Sequence, residues 1–162
     1  MDQIVILDRQ PMLRLGLKLL LNEKYQEFSI REAHNFDEFC GCLQPDNDVS
    51  IFILGLDPEK EKTDLRIIRN IKRKFPDARI VLYADNMESM ALMMCFRAGI
   101  AAYIPKQSTE TELIECLQSV RCKKRYLSSQ ILVQLTKDPG QYPGFLLPQS
   151  GLRRGDIKYR RK

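Results

Sequence analysis

The sequence predicts an α/β fold built on a doubly wound parallel sheet, and three observations carry that prediction. Apolar, strand-like runs alternate with amphipathic helical segments through most of the 162 residues. The connections between them are short, which favours βαβ crossovers with helices on both faces of one sheet. Two of the runs, Ile4-Val-Ile-Leu7 and Val49-Ser-Ile-Phe-Ile-Leu-Gly55, are almost continuously apolar, as strands covered on both faces should be.

Each element follows from local chemistry. The first strand, Ile4–Leu7, stops at Asp8-Arg9-Gln10, and Pro11 suits the first turn of a helix, where a missing N–H costs nothing. Leu13, Leu17, Leu20 and Leu21 then keep helical spacing to about Asn22. Phe28–Glu32 alternates apolar and polar residues and reads as a half-covered edge strand. Phe36, Phe39 and Leu43 suggest a short helix stopped by Pro45. Val49–Gly55 is rich in β-branched residues and is the third strand. The charged stretch Leu56–Lys62 is a loop, and Thr63 caps a helix that lines up Leu65, Ile68, Ile71 and Phe75. Pro76-Asp-Ala turns the chain into a fourth strand, Arg79–Tyr83, and a helix follows from about Met87 to Phe96. Gly99 fits the left-handed position that closes a helix. Tyr103-Ile104 makes a brief fifth strand, ended by Pro105, which cannot donate to a ladder. Thr109 and Glu112 have capping-box spacing, with Ser108 as a second cap. Leu113, Leu117 and Val120 mark the face of the last main helix, and Lys123, Lys124 and Arg125 lie at its negative end. Five strand–helix pairs make a five-stranded, flavodoxin-like (βα)5 domain with a short C-terminal extension.

Composition narrows the function classes. Apolar content of 44% and charged content of 29% are ordinary for a globular domain, and no apolar run reaches the length of a membrane span. The N-terminus carries no basic leader or cleavage site, so a cytoplasmic protein without membrane partners is expected. Five cysteines without zinc spacing and a single histidine predict reduced thiols and no metal centre. No G-x-G-x-x-G or P-loop follows the first strand, so neither a nucleotide cofactor nor a small-molecule substrate is expected. The net charge of +5 is unevenly placed. Residues 138–162 carry Arg153, Arg154, Lys158, Arg160, Arg161 and Lys162 against Asp138 and Asp156, which leaves the first 137 residues at +1.

Three stretches, Ile4–Leu17 with Asp8 and Pro11, Phe75–Leu82, and Arg97–Lys106, together resemble the receiver domain of response regulators of the NarL/FixJ (LuxR-type) branch, over roughly residues 1–135. The resemblance implies two acidic residues after the first strand, an acceptor aspartate after the third, a Ser or Thr after the fourth and a lysine after the fifth. The carboxylates would hold Mg²⁺, the acceptor would attack the phosphoryl donor, and the lysine would neutralise the transferred group. On this sequence Asp8 fills the first acidic position, Arg9 stands at the second, Leu54 falls at the acceptor position, Tyr83 replaces the Ser/Thr, and Lys106 is intact. The phosphorylation pocket is therefore expected to be degenerate, without a metal or catalysis. Lys106 is expected to form an ion pair with Asp8, and Arg9 to supply a permanent positive charge where the metal would lie. Asp57, three residues beyond Leu54, is the alternative acceptor.

Tyr103 matches the aromatic that swings between exposed and buried positions in such receivers, with an ordinary amphipathic strand residue bearing a wet hydroxyl as the other reading. Met87, Met90, Met93 and Met94 supply one helix with soft apolar surface, so Met87, Met90, Met94 and Tyr103 are the interface candidates. Residues 1–124 are expected to form the receiver-like domain and 125–137 a linker helix capped by Ser128. Residues 138–162, interrupted by Pro139, Gly140, Pro143, Gly144, Pro148 and Gly151, are expected to be a disordered basic tail. The tail reads either as the remnant of a truncated or remodelled regulator or as an arm that meets nucleic-acid phosphates. The expected function is a phosphorylation-independent receiver module, not an enzyme, acting by homodimerisation or pairing with another regulator; DNA contact through the tail is the alternative.

Overall fold

The computed structural model describes residues 2–42, 48–56, 61–85, 87–128 and 131, with the backbone alone for 61–64. Leu43, Pro45, Asp57 and all candidate cations of the tail lie outside these residues. The elements are β1 (Gln3–Leu7), α1 (Pro11–Lys24), β2 (Ser29–Ala33), α2 (Phe36–Gly41), β3 (Val49–Gly55), α3 (Glu61–Lys74), β4 (Arg79–Tyr83), α4 (Ser89–Ala98), β5 (Ala102–Ile104), α5 (Glu110–Arg121) and β6 (Tyr126–Leu127).

The strands form one sheet in the order β2-β1-β3-β4-β5-β6, and every pairing is parallel. Alternation along each strand sorts the core into two layers. Val5, Leu7, Phe52, Leu54, Ile80, Leu82 and Tyr103 pack with residues of α2, α3 and α4. Ile4, Ile6, Ile51, Ile53, Val81, Tyr83, Ala102 and Ile104 pack with residues of α1 and α5. Aromatic contacts tighten the first layer, with the Phe52 and Phe75 ring centroids 5.3 Å apart and Phe39 edge-on to Phe52 at 5.6 Å. Each such pair contributes roughly 1 kcal/mol beyond its area.

The fold is the expected one, with local differences. The sheet has six strands, because Tyr126 N–H donates to the Ala101 carbonyl at 3.2 Å and draws the chain into line beside β5. Residues 125–128 are therefore not the start of a helix. α3 begins at Glu61, which places Thr63 inside the helix rather than at its cap. α4 begins at Ser89 behind Glu88, so Met87 precedes the helix. Gly99 closes α4 at φ +116, and the Thr109–Glu112 capping box is fully formed.

Candidate functional site

In a sheet of this order, chain direction across the sheet reverses between β1 and β3, and the crevice outside the carboxyl ends of those strands is where such folds place their sites. Asp8 and Gly55 stand there. β1 and β3 run in register from Ile4↔Ile51 to Leu7↔Leu54, so the next pair, Asp8 and Gly55, faces across the strand ends.

Asp8 is buried, with its side chain 4% exposed, and every polar atom of the residue has a partner. Its Oδ2 receives Lys106 Nζ at 2.8 Å, and its Oδ1 accepts the Gln10 backbone N–H at 2.7 Å. The Asp8 carbonyl accepts from Arg14 Nη1 at 2.6 Å, and its N–H donates to Ala33 at 3.3 Å. Lys106 arrives from the end of β5, and its own carbonyl accepts the Tyr83 hydroxyl at 3.2 Å. The expected Asp8–Lys106 ion pair is thus present, tied to β4 through Tyr83. Burial, then the nearby Asp85 and Asp8 carboxylates, push the Tyr83 phenol above its ordinary pKa, so it stays a hydrogen-bond donor at neutral pH.

Gly55 is the residue the sequence reading missed. A Cβ placed on it would lie 1.7 Å from Asp8 Oδ2 and 2.5 Å from Asp8 Cγ. The Asp8 carboxylate therefore fills the space that any side chain at position 55 would enter. Leu54, assigned from the sequence to the acceptor position, points to the opposite layer and packs with Val5, Leu7 and Leu82. Gly55 faces Asp8 instead, because a side chain one residue along a strand belongs to the other face. The residue directly after β4 is Ala84, which has no hydroxyl; Tyr83, one residue earlier, is the one that reaches the site. Arg9 is exposed at the rim.

Tyr103 is only 2% exposed, and its hydroxyl donates to the Ala84 carbonyl at 3.0 Å. Of the two positions that the resemblance implies for this aromatic, the buried one is observed, and the reading of a wet hydroxyl does not hold. Met90 and Met94 are exposed on α4, whereas Met93 is buried and Met87 packs against the core. A second apolar stripe, Met12, Leu15 and Leu19, is exposed on α1. Only helical spacing outside the Leu17/Leu21 face could have signalled it. A cleft of about 530 Å³ opens between the β4–α4 and β5–α5 connections, lined in part by Asp85, Met87, Glu88, Tyr103, Gln107 and Glu112. Among the described residues no group of His, Cys, Asp and Glu is arranged to hold a metal ion, and no helix is long and apolar enough to cross a membrane.

No protein-family model matches the chain. It is 23% identical over 141 residues to the transcriptional activator protein ExaE of Pseudomonas putida, which covers 87% of this chain and 64% of ExaE. Its fold is similar to the isolated REC domain of RcsB from Salmonella enterica serovar Typhimurium, with a TM-score of 0.71 and 22% identity over 82% of this chain and 97% of that one. It also superposes on RcsB in a structure of two RcsB dimers bound to two parallel DNAs, with a TM-score of 0.72 and 23% identity over 83% of this chain and 67% of that one. The chain spans just under two thirds of the curated activator it matches. It is similar to the receiver region of LuxR-type response regulators.

Proposed function

We propose that this chain is a receiver-like regulatory module of a LuxR-type transcription regulator that works without phosphoryl transfer, through contact with a second copy or another regulator. The observation that carries this reading is the pairing of Asp8 with Gly55 at the strand ends. Phosphoryl transfer to a receiver needs a nucleophilic carboxylate and at least one more carboxylate for Mg²⁺. Among the described residues the one buried carboxylate is already engaged by Lys106 and Gln10, and Gly55 at the neighbouring strand end contributes no side chain. Lys106, which would otherwise meet a phosphoryl oxygen, has the Asp8 carboxylate in its place.

The contact surfaces that suit a partner are the exposed methionines of α4 and the apolar stripe of α1. Sedimentation velocity with and without Mg²⁺ and beryllium fluoride, a mimic of the phosphoryl group, tests the reading. The protein is expected to self-associate or to capture its partner regulator equally in both buffers. A change of oligomeric state on adding beryllium fluoride would overturn it.

A further inference from the structure

The folded domain is close to neutral in sum, yet its cations are not evenly spread. The carboxyl edge of the sheet carries both signs, with Asp8, Asp85, Glu88, Glu110 and Glu112 near Arg9, Arg14 and Lys106. At the opposite edge, where β4 and β6 begin, a cluster of cations is gathered between the ends of α3 and α5. Lys72 lies in the last turn of α3 and donates to the Pro76 and Ala78 carbonyls at 2.6 and 2.9 Å, which brings it against the start of β4. Arg79, the first residue of β4, reaches across to the Lys124 carbonyl at 3.2 Å. Lys123, Lys124 and Arg125 follow α5 directly, and all three are exposed.

Cations at helix C-termini have an ordinary explanation in the helix dipole, and it suffices for Lys72. It also favours positive charge at Lys123, Lys124 and Arg125, which follow the end of α5, but not at Arg79, which opens a strand. Lys72, Arg79, Lys123 and Arg125 make no ion pair with a carboxylate among the described residues. The Arg79 Nε is buried with no hydrogen-bond partner. Burial and then Arg79 hold Lys72 below its ordinary pKa, with Asp77 offsetting part of this, while burial and then Arg125 lower Arg79. The backbone adds an independent sign. Lys123 has φ +58, the only positive φ of a non-glycine residue among those described. It closes α5 at the position where glycine is strongly preferred, so the chain accepts strain and keeps a cation there.

We infer that this edge, formed by Lys72, Arg79, Lys123, Lys124 and Arg125, is a binding surface for the sugar-phosphate backbone of nucleic acid. Adjoining cations without a large apolar anchor between them suit a partner with regularly repeated negative charge, not a protein hot spot. The surface belongs to the folded domain and is distinct from the basic tail. It does not depend on whether the Asp8 pocket takes a phosphoryl group.

The test uses the full chain and a short mixed-sequence duplex DNA, with binding read by fluorescence anisotropy across a salt series. Combining Lys123→Gln, Lys124→Gln and Arg125→Gln should weaken binding about tenfold or more at low salt. It should also reduce the slope of log K against log salt by about two to three. A variant with the six tail cations changed to Gln should leave that difference in place when the edge is also altered. Lys123→Gly separates binding from folding: it should raise the melting temperature by relieving the strain and still weaken binding. Equal affinity and slope for the wild type and the triple variant would overturn the inference. So would absence of DNA binding at low salt, or binding of poly-glutamate as tight as that of DNA.

Discussion

Asp8 is the residue on which the site turns. Its carboxylate is nearly sealed from water and depends on Lys106 for compensation. Lys106→Met leaves that charge buried with only the Gln10 N–H, and should lower stability by about 3 kcal/mol, measured as a shift of the urea midpoint. Joined with Asp8→Asn, the loss should be clearly smaller than the sum of the two single changes, since both remove one interaction. Gly55→Ala drives a methyl group into the same carboxylate and should cost about as much, with the Asp8–Lys106 pair lost. Asp8 and Lys106 were legible in the sequence because each follows a strand, Asp8 at the end of an apolar run with Pro11 opening the next helix, and Lys106 directly after Pro105. That Gly55 faces Asp8 was not legible, for a physical reason. Val49–Gly55 is apolar on both faces, so its composition carries no phase, and only the register with β1 shows that Gly55 and not Leu54 meets Asp8. The position of Tyr103 was read correctly as a strand residue, but its burial rests on the layer it shares with α4 and on the Ala84 carbonyl, both tertiary contacts.

At the scale of elements, the helix ends were the most legible features, because they are set by neighbours in sequence. Gly99 at φ +116 and the Thr109–Glu112 box are both where local chemistry puts them. Gly99→Ala should cost about 1–2 kcal/mol from the conformation alone, with Lys72 Cγ 3.2 Å from the new Cβ adding to it. Thr109→Ala should cost about 1 kcal/mol. Both are checked by thermal melts of the full chain. The two-residue β6 escaped notice because nothing local favours it. Its hydrogen bond to Ala101 is a tertiary contact, and the run from Arg125 to Leu135 carries apolar residues at helical spacing that point to the other answer.

At the scale of the whole molecule, burial of four tyrosines gives the fold an alkaline limit. Tyr25, Tyr83, Tyr103 and Tyr126 all have pKa values raised, first by burial, with Tyr126 pushed up to about 12. A raised folded-state pKa means the folded chain holds its proton more tightly than the unfolded chain. That part of the stability is intact below pH about 10, where free tyrosine begins to ionise, and is lost as pH rises toward the folded values. Urea midpoints taken from neutral pH upward should fall beyond pH about 10, and Tyr126→Phe should flatten part of that fall. The gathering of cations at one sheet edge was invisible in the net charge, since a sum near zero says nothing of placement. It emerges only when the topology brings the ends of α3 and α5 together.

Among the described residues the pocket offers no carboxylate beyond the paired Asp8, and intact mass spectrometry tests directly whether the proposed independence from phosphoryl transfer holds. The full chain is incubated with a small acyl phosphate donor and Mg²⁺, beside a phosphorylatable receiver as a positive control. The account predicts no phosphoryl mass increment on this protein while the control is modified. A stoichiometric increment, mapped by fragmentation to Asp8 or to Asp57, would contradict it.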